Sequence, residues 1–115
     1  MRTLPQAKTL SEKDQDILRE CKGIIQKFVP DATVLLYGSV ARGTQEPDSD
    51  YDILVLTERS LSTAEEDQVR DAIYDLELER GVIVCALFYS RDQWNDPLHR
   101  VMPLHRSVDR EGIVL

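Results

Sequence analysis

Apolar residues recur at steps of three and four through Ile17, Leu18, Cys21, Ile24, Ile25 and Phe28, which marks one face of a helix. Ser11 stands in the place of an N-cap, and Pro30 lies just past the far end. Thr33 to Tyr37 is a short β-type run that stops at Gly38-Ser39. Ala41 to Ser49 is polar and holds Gly43 and Pro47, so it predicts a loop with room for one helical turn. Asp50 to Leu56 reads as a second strand. A second helix is expected from Ser62, with Val69, Ala72, Ile73 and Leu76 as its stripe and Gly81 as its stop. Val82 to Tyr89 is apolar at every position, which predicts a central strand buried on both faces. Ser90-Arg91-Asp92-Gln93 has the spacing of a capping box. Pro97 and Pro103 then divide the tail into short pieces, and Gly112 to Leu115 reads as a last edge strand. Residues 1–9 read as a loose lead-in. The order helix, strand, strand, helix, strand, helix predicts an α/β (α+β) fold: a small mixed sheet with helices packed on one side.

Length and composition narrow the function classes. At 115 residues the chain is expected to form one domain over 1–115. Fourteen Lys and Arg against 21 Asp and Glu leave a net charge of −7. That excludes a general DNA- or RNA-coating protein, which needs a basic field. A nucleotide held through metal ions remains compatible, because carboxylates recruit those ions. The longest apolar run has eight residues, against about 20 for a spanning helix, so no membrane association is expected. Met1 to Pro5 have neither an apolar stretch nor a small-residue cleavage site, so no signal peptide is expected. Cys21 and Cys85 lie in apolar patterns and read as two buried, reduced thiols of a cytoplasmic protein.

The chemistry gathers between residues 38 and 52. Gly38-Ser39 follows a strand directly. Glycine lets the backbone approach an anion, and the Ser39 hydroxyl adds a donor. By itself this is an ordinary turn signal. Asp50 and Asp52 are two apart in a β-type run, so both carboxylates leave one face. At about 6 Å they repel by roughly 3 kcal/mol for an effective dielectric of 20, a cost a purely structural strand has no reason to carry. A divalent cation between them removes the repulsion, and hard carboxylate oxygens suit Mg²⁺.

The combination is specific. Gly-Ser, ten residues, then Asp-x-Asp, as in Gly38-Ser39…Asp50-Tyr51-Asp52, resembles the minimal nucleotidyltransferase family of the DNA polymerase beta-like superfamily. Ala41-Arg42-Gly43 and Ser49 are similar to that family's loop, and the likeness runs on to Glu111-Gly112-Ile113-Val114-Leu115. The resemblance implies that Gly38 and Ser39 hold the triphosphate of ATP. It implies that Asp50 and Asp52 are the catalytic pair, binding one or two Mg²⁺ ions, and that AMP passes to a hydroxyl with pyrophosphate leaving. Arg42 reads equally as a cation over the phosphates or as a solvated loop arginine. Stand-alone members resembling this chain pair with a helical HEPN-type protein in toxin–antitoxin modules, where the nucleotidyltransferase is the antitoxin and AMPylates the toxin. A hetero-oligomer is therefore expected.

One departure matters. Members of the superfamily commonly carry a third carboxylate on the next strand, and the corresponding place here falls near Cys85, a poor Mg²⁺ ligand. Three readings follow: two aspartates work with a base from the target, another acid substitutes from elsewhere in the fold, or the site binds nucleotide or metal without efficient turnover. The last suits an alternative function, a binding module that neutralises its partner by docking. Elsewhere, His99 and His105 read as surface histidines, and Trp94 as a packing residue at a helix start.

Overall fold

The computed structural model describes residues 2–4, 10–44 and 50–115. Its elements are β1 (Arg2–Thr3), α1 (Glu12–Phe28), β2 (Thr33–Tyr37), α2 (Gly38–Arg42), β3 (Tyr51–Thr57), α3 (Thr63–Arg80), β4 (Val84–Ser90), α4 (Arg91–Trp94), α5 (Pro97–Arg100), α6 (Pro103–Glu111) and β5 (Ile113–Val114). The local signals act as expected. The Ser11 hydroxyl accepts from the Asp14 N–H. Ser62 and Glu65 close a reciprocal capping box, as do Ser90 and Gln93. Gly81 ends α3 in the left-handed conformation, φ +66°.

The sheet runs β1-β5-β2-β3-β4. β2 is antiparallel to both β3 and β5, whereas β3–β4 and β1–β5 are parallel, so the sheet is mixed. One face carries Val34, Leu36, Ile53 and Val55, packed under Ile17, Leu18, Cys21 and Ile25 of α1 and Val69, Ile73 and Leu76 of α3. That is the expected helix layer. The tail adds a second, partial layer on the other face: Trp94 and Val108 pack with Leu35 and Leu54, joined by Tyr89 and Leu104. Among the described residues no helix is long and apolar enough to cross a membrane.

Three expectations about position are corrected. Val82 to Tyr89 does not supply a central strand, since β4 is a sheet edge. Its alternate residues Val84, Ala86 and Phe88 pack towards α3, while Cys85 and Leu87 are exposed. An apolar run reports side-chain surroundings and says nothing about whether the strand's outer edge has a neighbour. Conversely, the terminal Ile113–Val114 lies inside the sheet, between β1 and β2, with Ile113 fully buried. The lead-in supplies the true edge: Arg2 and Thr3 pair with Ile113 and Val114, and Leu4 is buried. Residues 5–9 of that lead-in lie outside the described residues.

Side-chain placement differs as well. Cys21 is buried, and desolvation first, then the charges of Glu77 and Glu20, pushes its thiol up to about 12. Cys85 is exposed. His105 is buried against Trp94, the rings stacked at 4.4 Å between centroids, and His99 meets the edge of Tyr89. The stacking on Trp94 makes His105 an interior position, which the isolated histidine could not signal, whereas His99 is half-buried. Trp94 closes α4 rather than opening a helix.

Candidate active site

Strand alternation builds the site. Tyr51 turns into the core under α1, where its hydroxyl donates to Asp14 Oδ1 at 2.5 Å. Burial first, then this bond and the Asp14 charge, drives the phenol well above its usual range. Asp50 and Asp52, one residue either side, project from the opposite face. Further along β3 that face is covered at Leu54 by Trp94 and Val108, while Asp50 and Asp52 at its start are half-buried. The helical turn anticipated within 41–49 begins earlier, at Gly38, and forms α2 directly after β2. Residues 45–49 of the expected loop, Ser49 included, lie outside the described residues.

Gly38 joins the two halves of the site. Its φ is +81°, and a Cβ there would land on Asp52 Oδ2 and crowd the Asp52 Cβ and Cγ at 3.3 Å. The backbone turn and the carboxylate are therefore in direct contact, and only glycine permits it. Ser39 follows as the second residue of α2, half-buried. Tyr37 pairs with Asp52 across the sheet. Its phenol is pushed up to about 12, by burial and then by the nearby Asp52 carboxylate.

The two carboxylates feel each other. Asp52 is held above the ordinary aspartate value, by desolvation and then by the charge of Asp50, with Arg42 opposing and Glu111 adding to the rise. Cys85 is the register partner of Asp52, which is where the sequence placed the missing acid. Its thiol donates a long bond, 3.5 Å, to Asp50 Oδ2. Burial, then that bond and the carboxylate charges, raises the Cys85 pKa, so the thiol stays protonated. Glu77, one of the acids flanking this strand, is occupied: its Oε2 accepts from the Val84 N–H at 3.0 Å. Among the described residues no set of three His, Cys, Asp or Glu side chains could hold a metal. Two hard oxygen ligands completed by water and phosphate remain a normal way to hold Mg²⁺, so Asp50 and Asp52 fit that ion.

Arg42 is not a free loop arginine. Its Nη1 sits 3.0 Å from Glu111 Oε2, and the Glu111 carboxylate is 7% exposed. Glu111 Oε1 also accepts from the Gly38 N–H at 3.1 Å. Sequence reasoning missed Glu111 because it is 73 residues from Gly38. The one local hint was an acid at the end of a helix, where the backbone dipole disfavours it.

Comparison with known proteins identifies the architecture. The nucleotidyltransferase domain family matches residues 18–111, most of the chain. The chain belongs to this family. A candidate protein adenylyltransferase of Methanocaldococcus jannaschii is 34% identical over 82 residues, covering 71% of this chain and 75% of the relative. A crystal structure of a mutant of the toxin–antitoxin MntA-HpeT holds a chain with TM-score 0.59 and 21% identity, covering 85% of this nucleotidyltransferase and 70% of that chain. A toxin–antitoxin structure with AMP-PNP matches with TM-score 0.59 and 19% identity, over 90% and 72% of the two chains. At those identities the structural likeness is one of fold. The chain is thus a nucleotidyltransferase, a transferase acting on a nucleotide substrate.

Proposed function

We propose that this nucleotidyltransferase moves AMP from ATP onto a hydroxyl of a HEPN-type toxin and so serves as the antitoxin of a cytoplasmic pair. The contact between the Gly38 turn and Asp52 carries this reading, since it sets the glycine turn, our candidate phosphate cradle, directly against one of the two aspartates. Gly38, whose own N–H is taken by Glu111, lets the backbone come close to the phosphates, Ser39 donates to them, and Arg42 neutralises them. Asp50 and Asp52 hold Mg²⁺, which when bound offsets charge on the entering and leaving oxygens. The acceptor hydroxyl's oxygen bonds to the α-phosphorus as its proton passes to solvent, the bridging P–O bond to the β-phosphate breaks, and pyrophosphate leaves with the electron pair. The name of the archaeal relative and the toxin–antitoxin setting of the structural neighbours support the choice of acceptor.

Cys85 favours a second reading, a module that silences its partner by docking, because a neutral thiol stands beside Asp52 where an acid was expected. One experiment separates the two. The chain is co-expressed with a HEPN-type protein as the proposed partner, incubated with Mg-ATP, and the partner's intact mass is taken. AMP-sized additions, lost with Asp50→Asn/Asp52→Asn, are expected. A stable complex of unchanged mass leaves only docking.

A protonated thiol contributes little to a magnesium site, so two aspartates should suffice. Cys85→Ala is expected to keep the rate of AMP transfer within about threefold, less than the tenfold that 1.36 kcal/mol represents. A loss beyond that in the same mass assay would make the thiol part of the machinery.

A further inference from the structure

Glu111 is expensive where it stands. It is the last residue of α6, where the helix dipole opposes a negative charge, and it is 8% exposed, where an unpaired carboxylate is costly. Its partners explain it. Oε1 accepts from the Gly38 N–H at 3.1 Å, and Arg42 Nη1 bridges Oε1 and Oε2 at 3.1 and 3.0 Å. One buried carboxylate therefore binds both ends of α2.

Glu111 is also anchored from behind. It leads through Gly112 into β5, which pairs with both β1 and β2, and β2 is the strand that delivers Gly38. Arg42 has the opposite character. Its side chain is 49% exposed, and only Nη1 is engaged by Glu111, so Nε and Nη2 remain available among the described residues. Guanidinium donors lie in a rigid plane, so fixing one end fixes the direction of the others.

Glu111 stands near Asp52, which invites the idea that it replaces the missing third ligand. Its oxygens are instead engaged by Arg42 and the Gly38 N–H. We infer that Glu111 is a positioning residue: a buried strut that holds the Gly38 turn and aims the free face of Arg42 at the phosphates of the bound nucleotide. The inference rests on the reading of Gly38, Ser39 and Arg42 as the phosphate site.

The test is binding of a non-hydrolysable ATP analogue with Mg²⁺, measured by calorimetry on the full chain, beside AMP transfer to the partner. Glu111→Gln keeps the side chain's length and an acceptor for Gly38, and removes the charge that holds Arg42. It is expected to weaken the analogue about tenfold and to raise KM by a similar factor, with kcat within about threefold, the scale of one charge-assisted hydrogen bond. Arg42→Ala should weaken binding equally. On the Arg42→Ala background Glu111→Gln should add less than about twofold, because both changes remove one coupled element. A protein that is merely loosened would lose melting temperature and show additive effects.

Unchanged affinity in Glu111→Gln, or full additivity with Arg42→Ala, overturns the strut and leaves the nucleotide site standing. Failure of the natural chain to bind the analogue overturns both. Should Glu111→Gln not fold, Glu111→Asp answers the same question. It keeps the charge one methylene short of Arg42, and equal affinity to the natural chain would again overturn the strut.

Discussion

Asp52→Asn is expected to lower AMP transfer about a thousandfold or more and, in the same molecule, to make the metal-free protein more stable at neutral pH. The activity loss follows from the proposed role, since metal stabilisation of phosphoryl charge is worth several kcal/mol and each 1.36 kcal/mol is a factor of ten. The stability gain follows from the surroundings of the carboxylate. Asp52 is raised above 3.8 by desolvation and by Asp50. A carboxyl whose pKa is higher in the folded state is destabilising when ionised, so the natural chain carries this cost at pH 7. Below 3.8 the group is protonated in both states, and the asparagine has no advantage there. The advantage grows as pH rises through the raised pKa and is complete at neutrality. Melting temperatures of both proteins between pH 3 and 8, without divalent ions, check the sign. A variant less stable than the natural chain at pH 7 would make Asp52 structural. Asp50→Asn should match the activity loss.

Gly38→Ala is expected to cost both stability and activity, and a second glycine separates the two. At φ +81° an alanine is strained by about 1–2 kcal/mol, which for a domain of this size lowers the melting temperature by about 4–8 °C. Gly81 has a similar φ, +66°, with nothing within 4 Å of an added Cβ. Gly81→Ala should show the same kind of melting loss with transfer unchanged. At Gly38 the new methyl also meets the Asp52 carboxylate, so the turn or the acid must shift. Misplacement on the scale of an ångström costs about a hundredfold, and that is the expected loss of transfer. Equal activity in the two alanine variants would show that the turn and Asp52 do not act together.

The parts of this protein governed by neighbouring residues were readable without a structure. Ser11, Ser62 and Gly81 mark helix ends through bonds to residues a few positions away. Gly38-Ser39 and Asp50-Tyr51-Asp52 declare themselves through conformational freedom and strand alternation, both local properties. The order of elements gave the mixed α/β class, alternation gave the candidate pair, and the family came from the motif's resemblance to known members. What the chain did not disclose depends on partners distant in sequence. Among the described residues β4 is an edge because no further strand pairs beyond it, and β5 is interior because residues 2–3 return to cover it. His105 is buried because Trp94 stacks on it.

The same division runs through the site. The sequence alone singled out the candidate pair, since residue type and a spacing of two settle which groups share a face. Tertiary structure decided how they meet: Asp52 against Gly38, the Cys85 thiol against Asp50, and Glu111 clasping Arg42 across 69 positions. Hydrogen bonds and ion pairs act over a few ångströms, so a side chain's charge environment is set by whichever segments the fold brings there. No local pattern records that for a residue such as Glu111.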